Sequence, residues 1–100
     1  MLNAVSARLA LIGAAGQTVT YGQLARDLGL RMGELTAALE ALMEEDAALG
    51  RPLRAAVCAA RLGAGQPAPG FFQKAAALGF DVSDPAGFVA QHRRLLSQTA

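Results

Sequence analysis

The side chains able to act as nucleophile, acid or base are few and scattered: the single cysteine Cys58, the single histidine His92, and the aspartates Asp81 and Asp84. A thiol becomes a nucleophile when a neighbouring cation or base stabilises its thiolate. Cys58 stands between Val57 and Ala59 with no such group beside it, which predicts an inert, buried small residue. His92 falls on an apolar helix face, with no serine, cysteine or carboxylate close by in sequence to complete a dyad, so a core or boundary role is expected. Asp84 directly precedes Pro85, and that pair is a helix start: the carboxylate caps the first turn and proline fits its first position. Capping accounts for Asp84 without a catalytic carboxylate pair. Gly63-Ala64-Gly65 lacks the lysine and the serine or threonine that follow in a phosphate-binding loop. One cysteine and one histidine leave neither a metal cluster nor an internal disulfide. The expectation is a protein with no catalytic residue, metal or cofactor, and the lone cysteine suits a reducing cytoplasm.

What remains is binding chemistry, carried by arginine. The net charge of +1 and pI near 8.0 generate no field strong enough to imply nucleic acid or membrane, so only local charge can point to a partner. Residues 1–48 hold three basic and six acidic groups, whereas residues 49–100 hold six basic and two acidic ones. Arg51, Arg54 and Arg61 form a basic group suited to phosphates, and Arg31 and Thr36 are the useful contacts in a stretch that otherwise offers Met32, Gly33, Ala37 and Glu40. Arg93 and Arg94 fall near the end of the last helix, where positive charge complements the helix dipole. Phe71, Phe72, Phe80 and Phe88 are expected inside, because a base-stacking platform would need interleaved Lys or Arg and only Lys74 is near.

These residues need elements to position them, and 100 residues make one domain with a modest core. Leu2, Val5, Leu9 and Ile12 recur at steps of three and four and predict a core helix ended by Gly13 and Gly16. The stretch is too short for a bilayer, is interrupted by Arg8, and lacks the basic leader of an export signal, so no membrane partner is expected. Gln17 to Thr20 suits a few extended residues, a one-bridge strand. Tyr21, Leu24, Ala25 and Leu28 predict a short helix closed by Gly29, and Leu35, Leu39, Leu42 and Met43 a longer one reaching about Leu49. Residues 53–62 satisfy two patterns: Pro52 and Gly63 bracket an alanine-rich helix, while Leu53, Ala55, Val57 and Ala59 would share one face of a strand. Residues 63–70 read as a glycine- and proline-rich loop, Phe71 and Phe72 open a short helix closing at Gly79, and the helix after Asp84 aligns Phe88, Val89, His92, Leu95 and Leu96.

Tyr21 to Leu39 carries the pattern of a helix-turn-helix: small Ala25 where the helices meet, Gly29 at the turn, and Leu24, Leu28, Leu30 and Leu35 inside. The run Val19-Thr20-Tyr21-Gly22-Gln23-Leu24-Ala25, then Pro52 to Val57 and Gly70-Phe71, resembles the winged-helix domain of DNA alkyltransferases and alkyltransferase-like proteins. A nearer likeness is to small bacterial winged-helix domains of the pattern Tyr-Gly-x-Leu-Ala, Pro-Leu, a short strand, and Pro-Gly-x-Gly-Phe. The likeness spans residues 17–79. It implies that residues 53–62 are a strand leading into a wing at 63–70, against alanine's own preference. The fold class expected is mainly α with a small β-hairpin, a winged helix-turn-helix (21–49, then strand and wing at 52–70) with C-terminal helices over 71–98.

The resemblance also removes the chemistry. The alkyltransferase reactive stretch Pro-Cys-His-Arg-Val-Val falls on Pro52 to Val57, which puts Leu53 at the nucleophile and Arg54 at its histidine. Shifting the register to Cys58 leaves Ala59 where the activating histidine belongs. The family's base-displacing arginine falls near Gly33, with Arg31 two residues away, and Tyr21 matches a tyrosine that contacts the DNA backbone, although a half-buried staple is the plainer role for it. The function expected is a non-catalytic module binding double-stranded DNA weakly through the wing, with Tyr21, Arg31, Thr36, Arg51, Arg54 and Arg61 as its contacts. The alternative is a protein–protein interaction module on the same scaffold, which accounts for the acidic second helix of the motif without further assumption.

Overall fold

The structure, a computed structural model, describes residues 2–98. The side chain of Leu2, expected on the apolar face of the first helix, lies outside the described residues. Helix α1 (Leu2–Ala14) buries Val5 and Leu9 completely and Ile12 in part, as its three-and-four spacing requires. It runs through Gly13 rather than ending there, and glycine at that position serves packing: an added Cβ would lie only 3.1 Å from Leu96 Cβ of the last helix.

Strand β1 (Val19–Thr20) leads directly into α2 (Tyr21–Leu28). The Thr20 hydroxyl accepts the Gln23 N–H at 3.1 Å, satisfying one of the orphan donors of the first turn. At the other end Gly29 takes φ +66°, a left-handed conformation that ends the helix and lets the Leu30 N–H reach the Ala25 carbonyl at 2.9 Å. Helix α3 (Met32–Ala48) then starts with the Glu34 carboxylate accepting the Arg31 N–H at 2.9 Å. Leu35, Leu39, Leu42 and Met43 are buried as expected, and so is Asp46.

The expected strand over 53–62 is corrected. Residues Arg54–Val57 form a 3-10 helix, and only Cys58–Ala59 is extended, as β2. The β-hairpin is corrected with it: β2 pairs in parallel with β1, Val19 opposite Cys58 and Thr20 opposite Ala59. Burial supplies the reason. Leu53, Ala55, Ala56, Val57 and Cys58 are each at most 3% exposed, so the segment has no outer face for an alternating strand to present. It is wedged among α1, α3 and the last helix. Side chains take the hydrogen bonds a ladder would have made: Leu53 N–H donates to His92 Nδ1 at 2.9 Å, Arg54 N–H to Asp46 at 3.0 Å, and the Ala56 carbonyl accepts from Arg93 at 2.7 Å.

Helix α4 (Pro69–Ala77) begins inside the stretch expected as loop, with Pro69 in its first turn. Helix α5 (Pro85–Gln98) starts as expected, with Asp84 accepting the Gly87 N–H at 3.2 Å. Phe71 and Phe88 are buried and Phe72 and Phe80 partly so; Phe88 lies 4.5 Å from the His92 ring, centroid to centroid. Leu95, expected on the inner face of α5, is left 37% exposed. The architecture is thus mainly helical, five helices and a two-stranded parallel sheet among the described residues. No helix among the described residues is long and apolar enough to cross a membrane.

Candidate functional site

Five of the six residues singled out for nucleic-acid contact separate into two groups on different parts of the surface, and Arg31 stands apart from both. Tyr21, Thr36 and Arg61 line one cleft; Arg51 and Arg54 border another groove, beside α1; Arg31 is exposed at the N-terminal end of α3.

Arg54 is held by Asp46, whose carboxylate has no solvent exposure. Its Nε lies 3.1 Å from both Asp46 oxygens and one terminal nitrogen 2.9 Å from Oδ1, while its other terminal nitrogen donates to the Ser6 hydroxyl. Burial alone would disfavour the guanidinium, but the hydrogen bonds and field of Asp46 and Glu45 hold it protonated, above its ordinary value. Arg51 bonds the Glu45 carboxylate at 2.7 Å and lies 3.3 Å from Asp46. A buried carboxylate is stable only when paired, so both arginines serve the fold here. Asp46 escaped the sequence reading, although a signal was present: it continues the steps of Leu35, Leu39 and Leu42, placing a charge on the apolar stripe itself.

The second group surrounds an open cleft of about 760 Å³ between α2, α3, the segment 55–61 and the start of α4. Its walls are largely apolar: Met32, Leu39 and Met43 from α3, Ala55 and Ala60 from the middle segment, and Phe71 from α4. Arg26, Arg61 and Glu40 are the charged residues in the lining. Methionines give such a wall adaptability, because the unbranched thioether changes shape at little cost. Arg26 and the cleft were both missed in sequence, since a concavity assembled from four separate segments leaves no local pattern.

Two large apolar side chains in or near this region are exposed. Met32 is 50% exposed and Leu62, next to Arg61, is 94% exposed. Leu62 rides on a compact loop in which Ala60 N–H reaches the Gln66 carbonyl at 2.8 Å and Gln66 N–H the Gly63 carbonyl at 2.9 Å. Arg93 fastens this loop from α5, donating to the Gly65 carbonyl at 2.8 Å as well as to Ala56. That bridging replaces the helix-dipole role expected of Arg93, which sits before the last turn of α5.

The nucleophile and base candidates are engaged or covered. Burial pushes the Cys58 thiol up to about 12, with Arg93 only partly opposing it. His92 accepts the Leu53 N–H on Nδ1, and burial lowers its affinity for a proton despite the nearby Asp46 carboxylate. Tyr21 is half-buried as a staple, with its hydroxyl accepting the Ala68 N–H at 3.1 Å, and burial raises its phenol. Among the described residues no cluster of His, Cys, Asp and Glu could hold a metal ion.

Comparison with family models, with curated proteins and with solved structures finds no match to this chain, so the alkyltransferase-like resemblance rests on the residues quoted above.

Proposed function

We propose that this chain is a non-catalytic protein-interaction module that docks a segment of another polypeptide in the cleft between α2, α3 and α4. The observation that carries the reading is the apolar cleft, with Met32 half exposed in its wall and exposed Leu62 next in sequence to Arg61 of the lining. An opening of this size suits inserted side chains, and exposed apolar side chains such as Met32 and Leu62 are of the kind a polypeptide partner covers. The preorganised loop beneath Leu62 adds to this, because an anchor already held in place loses little freedom on binding.

The wing-centred DNA reading has less support. Two of its three phosphate contacts, Arg51 and Arg54, are ion-paired to Glu45 and Asp46, and α3 presents Glu34, Glu40, Glu44 and Glu45 at its surface. Neutralising few phosphates gives weak binding. The lack of a catalytic role is supported by the covered Cys58 thiol and the engaged His92.

The test is selection from a random peptide library followed by mapping of the winning peptide through backbone amide shifts. Shifts should cluster at Thr36, Leu39, Met43 and Phe71. Thr36→Trp, at an exposed position in the cleft wall, should weaken binding about tenfold, a change of ~1.4 kcal/mol. Peptides that map elsewhere, or a titration in which duplex DNA outcompetes every peptide, would overturn the reading.

A further inference from the structure

The charge around the cleft narrows the kind of partner it fits. Four of the nine arginine and lysine residues already have carboxylates: Arg8 pairs with Asp27, Arg51 and Arg54 with Glu45 and Asp46, and Lys74 with Glu44. The two arginines in the cleft lining do not. Arg26 reaches only the Gln23 side-chain carbonyl, at 3.1 Å, and Arg61 is exposed with no carboxylate within ion-pair distance among the described residues. Arg31, adjacent to Met32 of the lining, uses its backbone N–H on Glu34 and likewise has no side-chain ion pair there. Glu40 is the single carboxylate in the lining, so cations outnumber anions around an otherwise apolar concavity.

We infer that the cleft takes an acidic segment of another polypeptide, with its apolar side chains against Met32 and the floor made by Leu39 and Phe71 and its carboxylates against Arg26 and Arg61. This rests on the reading of the cleft as a protein-docking site and adds the chemistry of the occupant. Guanidinium groups match carboxylates with paired, directional hydrogen bonds, and they gain strength beside an apolar surface from which water is displaced as the partner seats. A basic or neutral segment of the same shape would leave both guanidinium groups partly desolvated and unpaired, which is a penalty and hence a source of selectivity. Charge complementarity of this kind also speeds encounter, so the effect is read best as a difference between salt concentrations.

The same library is selected against wild type and against the double variant Arg26→Glu with Arg61→Glu, both exposed positions, with unchanged urea midpoints confirming the fold. Wild type should enrich peptides in which large apolar residues are flanked by Asp or Glu, and raising salt tenfold should weaken them severalfold. The double variant should lose those peptides and enrich ones carrying Lys or Arg at the flanking positions. Peptides that map to the cleft without any preference for acid, in either protein, would overturn this inference and leave the docking reading standing. A library in which nothing maps to the cleft would overturn both. Binding of duplex DNA that disappears in the double variant would assign Arg26 and Arg61 to phosphate and overturn the inference in favour of a nucleic-acid partner.

Discussion

Arg54 and Arg61 are seven residues apart in one segment, and the fold uses them in opposite ways. Arg54, 15% exposed in its side chain, is locked against a carboxylate with no exposure at all; Arg61 stands at the rim of a cleft without a carboxylate partner among the described residues. Composition treats the two as the same basic group. What separates them is the residue that faces each one, and only Arg61 remains available to a visitor.

Stability should separate the two arginines most sharply. Arg54→Ala removes the main partner of buried Asp46 and should destabilise the protein by about 3–5 kcal/mol, a large share of what a domain this size possesses, as read from urea unfolding. Arg61→Ala should stay within about 0.5 kcal/mol of wild type. Equal losses in the two variants would mean that the closed and open sides are not distinct. This also means that loss of binding in an Arg54 variant cannot be assigned to lost contact without first measuring the fold.

A smaller effect is expected beside the cleft itself. Thr20→Ala removes the hydroxyl that caps α2 and should cost about 1 kcal/mol, because the Gln23 N–H loses its acceptor. Thr20→Ser should restore most of it, which separates capping from general disturbance of the cleft wall.

The gentlest probe is the proton. His92 is held neutral by burial and by accepting the Leu53 N–H, so its folded-state pKa lies below the ordinary 6.5. The unfolded chain therefore binds the proton more readily, and the stability contributed by this contact is intact above about pH 6.5 and lost as pH falls below it. The Asp46 carboxylate opposes the shift, and Phe80 and Phe88 supply the apolar surroundings. The urea midpoint should be lower at pH 5.5 than at pH 7.5, and His92→Gln should flatten that difference while leaving the affinity of the open cleft for peptide unchanged.

Much of this arrangement was readable from spacing alone. The stripes through Val5 and Leu9 and through Leu35, Leu39 and Leu42, Gly29 at its turn and Asp84 at its cap all follow local rules, and the helices they mark are present. Residues 53–59 were not readable in the same way. Helix and strand patterns both fit them, and the outcome, a 3-10 turn and a two-residue parallel bridge, was decided by Asp46, His92 and Arg93 reaching in from α3 and α5. Arg26 was one more charge in the sequence until the cleft gave it a place. Long-range hydrogen bonds and concavities have no period, which is why these features were missed.

The 3-10 segment has a further consequence, in time rather than in space. Arg54–Val57 sits among α1, α3 and α5, with Ser6 of α1 bonded to Arg54 and residues 92 and 93 of α5 bonded to its backbone and that of Leu53. On a ribosome, α1 and the helical pair α2–α3 emerge early, but the middle of the core stays open until α5 has left the exit tunnel. Closing the core thus joins segments tens of residues apart, a contact pattern that forms more slowly than the helices themselves.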